Sequence, residues 1–160
     1  MNYLWSPWRM EYILSPKSGE GCIFCEGLKQ TDGPENLIVY RGTYAFVMLN
    51  RFPYTSGHLM IVPNEHQPSL ELLNANARTD IMDLSARAIL VLNNLYSPQG
   101  YNLGMNIGNA AGAGISEHVH LHVVPRWVGD TNFMSSVSQT RVLPELLDET
   151  YRRVREVWGT

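Results

Sequence analysis

Cysteine is scarce in this chain: the 160 residues include two, Cys22 and Cys25, too few and too close for a structural disulfide framework. A basic surplus is also missing, since 12 Lys and Arg stand against 15 Asp and Glu for a formal net charge of -3. That balance argues against wrapping nucleic acid or lying on an anionic membrane, and leaves small ligands as the better fit. No apolar run reaches transmembrane length, and the opening MNYLWSPWRMEYILSPK is aromatic and interrupted by Pro7 where a signal peptide would carry an apolar stretch. A soluble, cytoplasmic protein is expected. There is no internal repeat and no low-complexity tract, and 44% hydrophobic residues over this length suit one domain with one substantial core.

What is present reads as strands around few helices. NLIVYRG and TYAFVMLN are apolar runs joined by a tight turn at Arg41 and Gly42, a hairpin pattern. The Pro- and Gly-marked RFPYTSG leads into a short strand, HLMIVP, which Pro63 closes. From Ser69 to Tyr96 the period becomes helical, with Ile81, Leu84, Ala88, Leu92 and Leu95 on one stripe. Thr79 or Asp80 is the expected cap, so the main helix should begin near Asp80. QGYNLGMNIG alternates again, NAAGAGIS is a small-residue loop, and HVHLHVVP is a further strand. The tail ends in LPELLDETYRRVREVW, where Leu146, Leu147, Tyr151, Val154 and Trp158 form the apolar side of an amphipathic helix. The expected class is α+β, an antiparallel sheet of about five strands with one long helix and a C-terminal helix.

Three of the five histidines fall within five residues: His118, His120 and His122. On a strand these share one face at about 6.5 Å spacing, while Val119, Leu121 and Val123 share the other. A solvated polar face accounts for one such histidine more readily than for three in register beside a Gly-rich loop, because clustered titratable groups concentrate at functional sites. One reading is a catalytic zinc held by all three. Another starts from the Cys-x-x-C pair, which needs two more ligands for a closed tetrahedral site and finds them in His66 and one triad histidine. A redox role for Cys-x-x-C is weaker, since no βαβ context surrounds it.

The string HVHLHVV, residues 118–124, resembles the signature of the histidine triad (HIT) nucleotide-binding superfamily. FVMLNRFPYTSGHLMIVPNEH is similar to its ribose-binding strand and following histidine strand, NIGNAAGAG to its phosphate loop, and CIFC to its zinc-binding members. The resemblance covers about residues 22–127, so a single HIT domain over 1–160 is expected, with an N-terminal aromatic segment 1–21 and a C-terminal helical extension 128–160. The segment LWSPWRMEYI and the extension after PRW look like the bacterial branch of diadenosine tetraphosphate phosphorylases and related dinucleoside polyphosphate hydrolases.

The resemblance implies a structural Zn2+ on Cys22, Cys25, His66 and His118, with no open position for substrate. It implies His120 as the nucleophile that forms a nucleotidyl-histidine, with the nucleotide then passed to water or phosphate. His122 and His58 match positions that orient the nucleophile and stabilise phosphate charge. Asn50 matches the ribose contact, and Asn106 a phosphate contact. Gly112, Gly114 and Ser116 lie in the phosphate loop, which lacks the glutamine of the commonest family pattern and is one residue longer before the first triad histidine. Ser116 or backbone amides are expected to take over that contact. The alternatives are a nucleotide-binding regulatory protein with weak catalysis and the three-histidine zinc hydrolase. A homodimer is implied by the resemblance alone, and Trp5, Trp8 and Trp158 either serve that interface or fill the core.

Overall fold

The computed structural model describes residues 21–130 and 143–159; the expectations for the N-terminal aromatic segment, Trp5 and Trp8 fall outside them. Five strands form one antiparallel sheet: β1 (Ile38–Arg41), β2 (Ala45–Leu49), β3 (Leu59–Pro63), β4 (Gly100–Met105) and β5 (Leu121–Arg126), in the order β1-β2-β3-β5-β4. Among the described residues three α-helices accompany it: α1 (Ile23–Leu28), α2 (Ala75–Tyr96) and α3 (Leu147–Trp158). The expected α+β architecture, with its long middle helix and its C-terminal helix, is the observed one.

The β1-β2 hairpin turns where the sequence marks it. The Gly42 amide donates to the Ala45 carbonyl at 2.8 Å, and a Cβ on Gly42 would meet that oxygen at 2.7 Å, so only glycine closes this turn without a shift. Alternation along the strands then divides the residues between two faces. Leu37, Val39, Val47, Leu49, Leu59, Ile61, Val119, Leu121 and Val123 join one cluster with Ile81, Leu84, Ala88 and Leu92 of α2 and Tyr151, Val154 and Trp158 of α3. Ile38, Phe46, Met60 and Val62 point the other way and pack with Phe24 of α1.

Three boundaries differ from expectation. The long helix begins at Ala75, because the Asn74 side chain takes the cap by accepting the Ala77 amide at 2.9 Å. Asp80 is instead a cross-link, its carboxylate accepting the amides of Tyr44 and Ala45 at 2.7 and 2.9 Å. CIFCEG coils into the short helix α1, with Cys22 at its N-cap and the Glu26 amide donating to the Cys22 carbonyl at 3.0 Å. Leu146 caps α3 from outside and is 81% exposed, whereas Trp158, at the other end of the helix, is 1% exposed. Trp158 therefore fills the core: its ring lies 5.6 Å from Tyr40, and Arg87 stacks on both rings while donating to the Trp158 carbonyl at 2.6 Å.

Candidate functional site

The sequence-predicted histidines and cysteines gather on the α1 face of the sheet. Strand β5 as hydrogen-bonded begins at Leu121, so of the three alternating histidines only His122 lies inside it, and His118 and His120 sit on the lead-in. The alternation survives: Val119, Leu121 and Val123 enter the helix-side core, and His118 and His120 meet Phe24 on the opposite side, at ring separations of 5.3 and 5.0 Å.

His118 is fully buried and points to the cysteines. Its Nε2–H donates to the Pro63 carbonyl at 2.9 Å, which leaves the Nδ1 lone pair facing Cys22 Sγ at 3.3 Å and Cys25 Sγ at 3.7 Å. His66 Nδ1 lies 3.3 Å from Cys25 Sγ, and the four potential ligand atoms are all within 4.8 Å of one another. A zinc tetrahedron with Zn–S near 2.3 Å and Zn–N near 2.0 Å has edges of roughly 3.3 to 3.8 Å, the scale of the Cys–His separations of 3.3 to 3.7 Å here, so the donor set suits the ion. Burial first, and then the hydrogen bond and charge of Cys22, push the Cys25 thiol up, away from the thiolate a metal takes. A divalent ion removes that obstacle by taking both as thiolates. Burial, with His66 and His120 nearby, holds His118 below the usual imidazole range, in the neutral form a metal ligand requires. Among the described residues this is the one group of three or more His, Cys, Asp or Glu side chains gathered closely enough for a metal. His120 and His122 are not in it.

His120 is 5% exposed, and its Nδ1–H donates to the His118 carbonyl at 2.9 Å. The proton is thereby placed on Nδ1, and the Nε2 lone pair is left for chemistry. Burial pushes this imidazole below its ordinary pKa, with the carbonyl bond opposing it, so the ring is neutral at physiological pH. His122 stands edge-on to His120 with centroids 4.9 Å apart, and its Nδ1 lies 3.0 Å from His58 Nε2. The structure therefore gathers His58, His120 and His122 in one cluster.

Asn50 stands at the end of β2 beside this cluster. Its amide donates to the His58 carbonyl at 3.0 Å, its side-chain oxygen accepts the Phe52 amide at 2.9 Å, and its Nδ2 approaches the His58 ring at 3.4 Å. Asn106 follows Met105, which pairs with Leu121, so the register sets it level with His120. In the small-residue loop the amides of Ala111 and Gly112 donate to the carbonyls of Gly108 and Asn109, at 3.2 and 2.9 Å. Those amides close the turn on itself. Ser116 Oγ donates to the Glu117 carboxylate at 3.3 Å.

Two contributors escaped the sequence reading. Phe24, the second residue between the cysteines, is the side chain through which α1 covers the histidines, and CIFC alone gave no hint of its direction. Tyr54 donates its backbone N–H to His58 Nδ1 at 3.1 Å and lays its ring 4.6 Å from that of His58. A backbone donor leaves no mark in residue identity.

An antiparallel sheet whose one face joins a Cys2His2 pocket to a buried cluster of imidazoles defines a histidine-triad type of protein. Residues 33–128 match the HIT domain family, and the chain belongs to it. It is 38% identical to the AP-4-A phosphorylase of Mycobacterium tuberculosis over 98% of this chain and 84% of that protein. It is 28% identical to the asymmetrical bis(5'-nucleosyl)-tetraphosphatase of Schizosaccharomyces pombe, over 58% of this chain and 50% of that one. A Zn-bound histidine triad family protein from Mycobacterium smegmatis superposes with a TM-score of 0.68 at 25% identity, covering 87% of this chain and 94% of the other.

Proposed function

We propose that this protein is an enzyme that cleaves dinucleoside polyphosphates of the diadenosine tetraphosphate type, or nucleoside monophosphate derivatives, through a nucleotidyl-histidine on His120. The observation that carries this reading is the bond from His120 Nδ1–H to the His118 carbonyl, which leaves a neutral, buried Nε2 as the nucleophile. In the first step Nε2 attacks the α-phosphorus, the P–N bond forms and the bond to the leaving phosphate oxygen breaks. In the second, water or inorganic phosphate attacks the same phosphorus and His120 is released. His122 and His58 orient the nucleophile and stabilise charge developing on the phosphoryl oxygens. Asn50 holds the ribose, and Asn106 with the loop of Gly112, Gly114 and Ser116 receives phosphate. Because the Ala111 and Gly112 amides are used within the turn, the amides from Gly114 onward take the larger share of that contact. Relatives named as an AP-4-A phosphorylase and a bis(5'-nucleosyl)-tetraphosphatase support this substrate class.

Cys22, Cys25, His66 and His118 would hold a structural zinc, supported by the spacing of their ligand atoms and by a Zn-bound structural relative. The ion would pin α1 against β3 and the triad. A homodimer formed through the open edge of the sheet is part of the same reading, supported by the position of β4 at that edge with Leu103 41% exposed. No helix among the described residues is long and apolar enough to cross a membrane, and a cytoplasmic location completes the proposal.

His120→Asn should reduce turnover of diadenosine tetraphosphate by at least about 10³-fold while nucleotide binding, followed by calorimetry, persists. Turnover at the wild-type rate in that variant rules out the mechanism. Running the wild-type assay with and without inorganic phosphate names the acceptor, since ADP with ATP marks phosphorolysis and AMP with ATP marks hydrolysis.

A further inference from the structure

The segment between β2 and β3, residues 50–58, is tied down more firmly than a connection of its length requires. Its hydrogen bonds start within itself: Asn50 N–H to the His58 carbonyl at 3.0 Å, and His58 N–H to the Thr55 carbonyl at 3.2 Å. Gly57 adopts φ +78, and a Cβ there would meet Leu92 at 2.9 Å and Tyr96 at 3.2 Å, so the loop lies directly on α2. One side chain reaches across the sheet: Thr55 Oγ1 donates to the Pro125 carbonyl near the end of β5 at 2.9 Å, a link between residues 70 positions apart. Pro125 shares its strand with His122, three residues earlier.

The consequence lies in where this loop places the neighbouring amide. Tyr54 N–H can only donate, so His58 Nδ1 must accept at 3.1 Å, and a neutral His58 carries its proton on Nε2. That Nε2–H is 3.0 Å from His122 Nδ1. His122 Nδ1 is then the acceptor, and the His122 proton resides on Nε2. One backbone amide thus sets two tautomers in succession, and the second gives His122 a fixed N–H donor beside His120.

We propose that Thr55 is a positioning residue for the reaction at His120: its hydroxyl clamps the 50–58 loop to β5, so that the Tyr54 amide holds His58 and His122 in the tautomers that present His122 Nε2–H to the phosphoryl group. The inference rests on the proposed reaction for its consequence in turnover, and on geometry alone for the tautomer. In this role Thr55 acts through Tyr54 and His58.

The test uses the full chain with Thr55→Val and Thr55→Ala, both lacking the hydroxyl, and Thr55→Ser, which keeps it. With diadenosine tetraphosphate as the probe, the first two should lower kcat about tenfold at unchanged KM, as expected when a preorganised donor is loosened, and Thr55→Ser should return kcat to within about twofold. Nitrogen-15 spectra of the ligand-free proteins should show His122 as the Nε2–H tautomer in wild type and Thr55→Ser, and as a mixture in Thr55→Val and Thr55→Ala. Wild-type kcat in the hydroxyl-less variants overturns the proposal. So does a reduced kcat with the His122 tautomer unmoved, which would mark Thr55 as a contributor to folding only. The two readings fail separately, because wild-type turnover by His120→Asn removes the nucleotidyl-histidine while the nitrogen-15 spectra still decide what Thr55 does.

Discussion

The two faces of the sheet are drawn from the same strands by alternate residues, yet they are held by different physics. The face under α2 and α3 is an aliphatic cluster closed by Tyr151, Val154 and Trp158, stabilised by removing a large apolar area from water. The face under α1 has a cluster of five buried apolar residues, Phe24, Ile38, Phe46, Met60 and Val62. Beside them stand the buried polar side chains His58, His118 and His120. Those imidazoles stay inside because each has a partner: Pro63 O for His118, His118 O for His120, and the Tyr54 amide for His58. One face is built of apolar packing, and the other buries imidazoles that hydrogen bonds hold in fixed orientations. The helix covering the second face is only six residues long, too short to be stable by itself, so its position depends on what ties it down.

The sharpest way to separate the faces is therefore to cut that tie. Structural zinc sites supply on the order of 10 kcal/mol of binding free energy, so Cys22→Ser, or a strong chelator on the wild type, should produce the largest change of all. Metal analysis should show the ion lost, and hydrogen exchange should show α1 and the His118 segment opening while α2 and α3 stay protected. Zinc retained at full stoichiometry in Cys22→Ser would break the Cys2His2 assignment and return the three-histidine site to consideration.

The complementary cut is on the other face. Trp158→Ala removes a side chain 1% exposed, together with the stacked Arg87 contact, and should cost about 3 to 5 kcal/mol by denaturant titration. Below its shifted transition it should retain zinc and turnover. Loss of zinc in step with stability would mean that the faces unfold as one unit. A smaller effect belongs to Asp80→Ala, which strips the acceptor from the Tyr44 and Ala45 amides and should destabilise by about 1 to 3 kcal/mol. Asp80→Asn keeps an oxygen in place and should lose less.

These contrasts also explain what could be read from the sequence. The strands, the long helix and the hairpin at Gly42 were legible because their signals are local: alternation, a 3.6-residue period, and a turn that admits only glycine. The Cys-x-x-C pair marked a candidate Cys and His group by residue type, the resemblance chose His118 among the triad, and the structure gathers Cys22, Cys25, His66 and His118 within 4.8 Å of one another. What escaped depends on tertiary competition. Asp80 has the composition of a cap, but Asn74, nearly two turns earlier, takes that place and the hairpin amides claim the carboxylate. Leu146 completes an apolar period on paper, yet the helix starts after it and leaves it in water. The small helix after Cys22 carries Gly27 and Cys25 with no strong helical period, and its fold is set by what it covers. The roles of Tyr54 and Thr55 rest on a backbone N–H and a hydroxyl bonded to a carbonyl 70 residues away, and neither is encoded in a motif.

The smallest expected effect tests whether the apolar face also relies on a polar anchor. Glu145, just before α3, accepts the Tyr96 hydroxyl at 2.6 Å, the Thr150 hydroxyl at 2.7 Å and Arg153 Nη1 at 2.5 Å. Burial works to raise its pKa, but the hydrogen bonds from Tyr96, Thr150 and Arg153, with the Arg153 charge, outweigh it and hold the carboxyl below its ordinary 4.5. A carboxylate with a depressed folded-state pKa contributes stability that is fully present above the unfolded value and disappears as pH falls through the folded one. The advantage of wild type over Glu145→Gln should therefore be constant near neutrality, begin to shrink as pH drops past about 4.5, and vanish below the lowered pKa. Its size is no more than about 1 kcal/mol, the scale of a partly exposed ion pair. Taking the difference between the two proteins at each pH cancels the acid sensitivity of the histidine and cysteine site, which both share. A gap that stays constant across the acid range would show that Glu145 holds α3 through hydrogen bonds a glutamine makes equally well. The charge of Glu145 would then add nothing to the hold of α3 on the helix-side face.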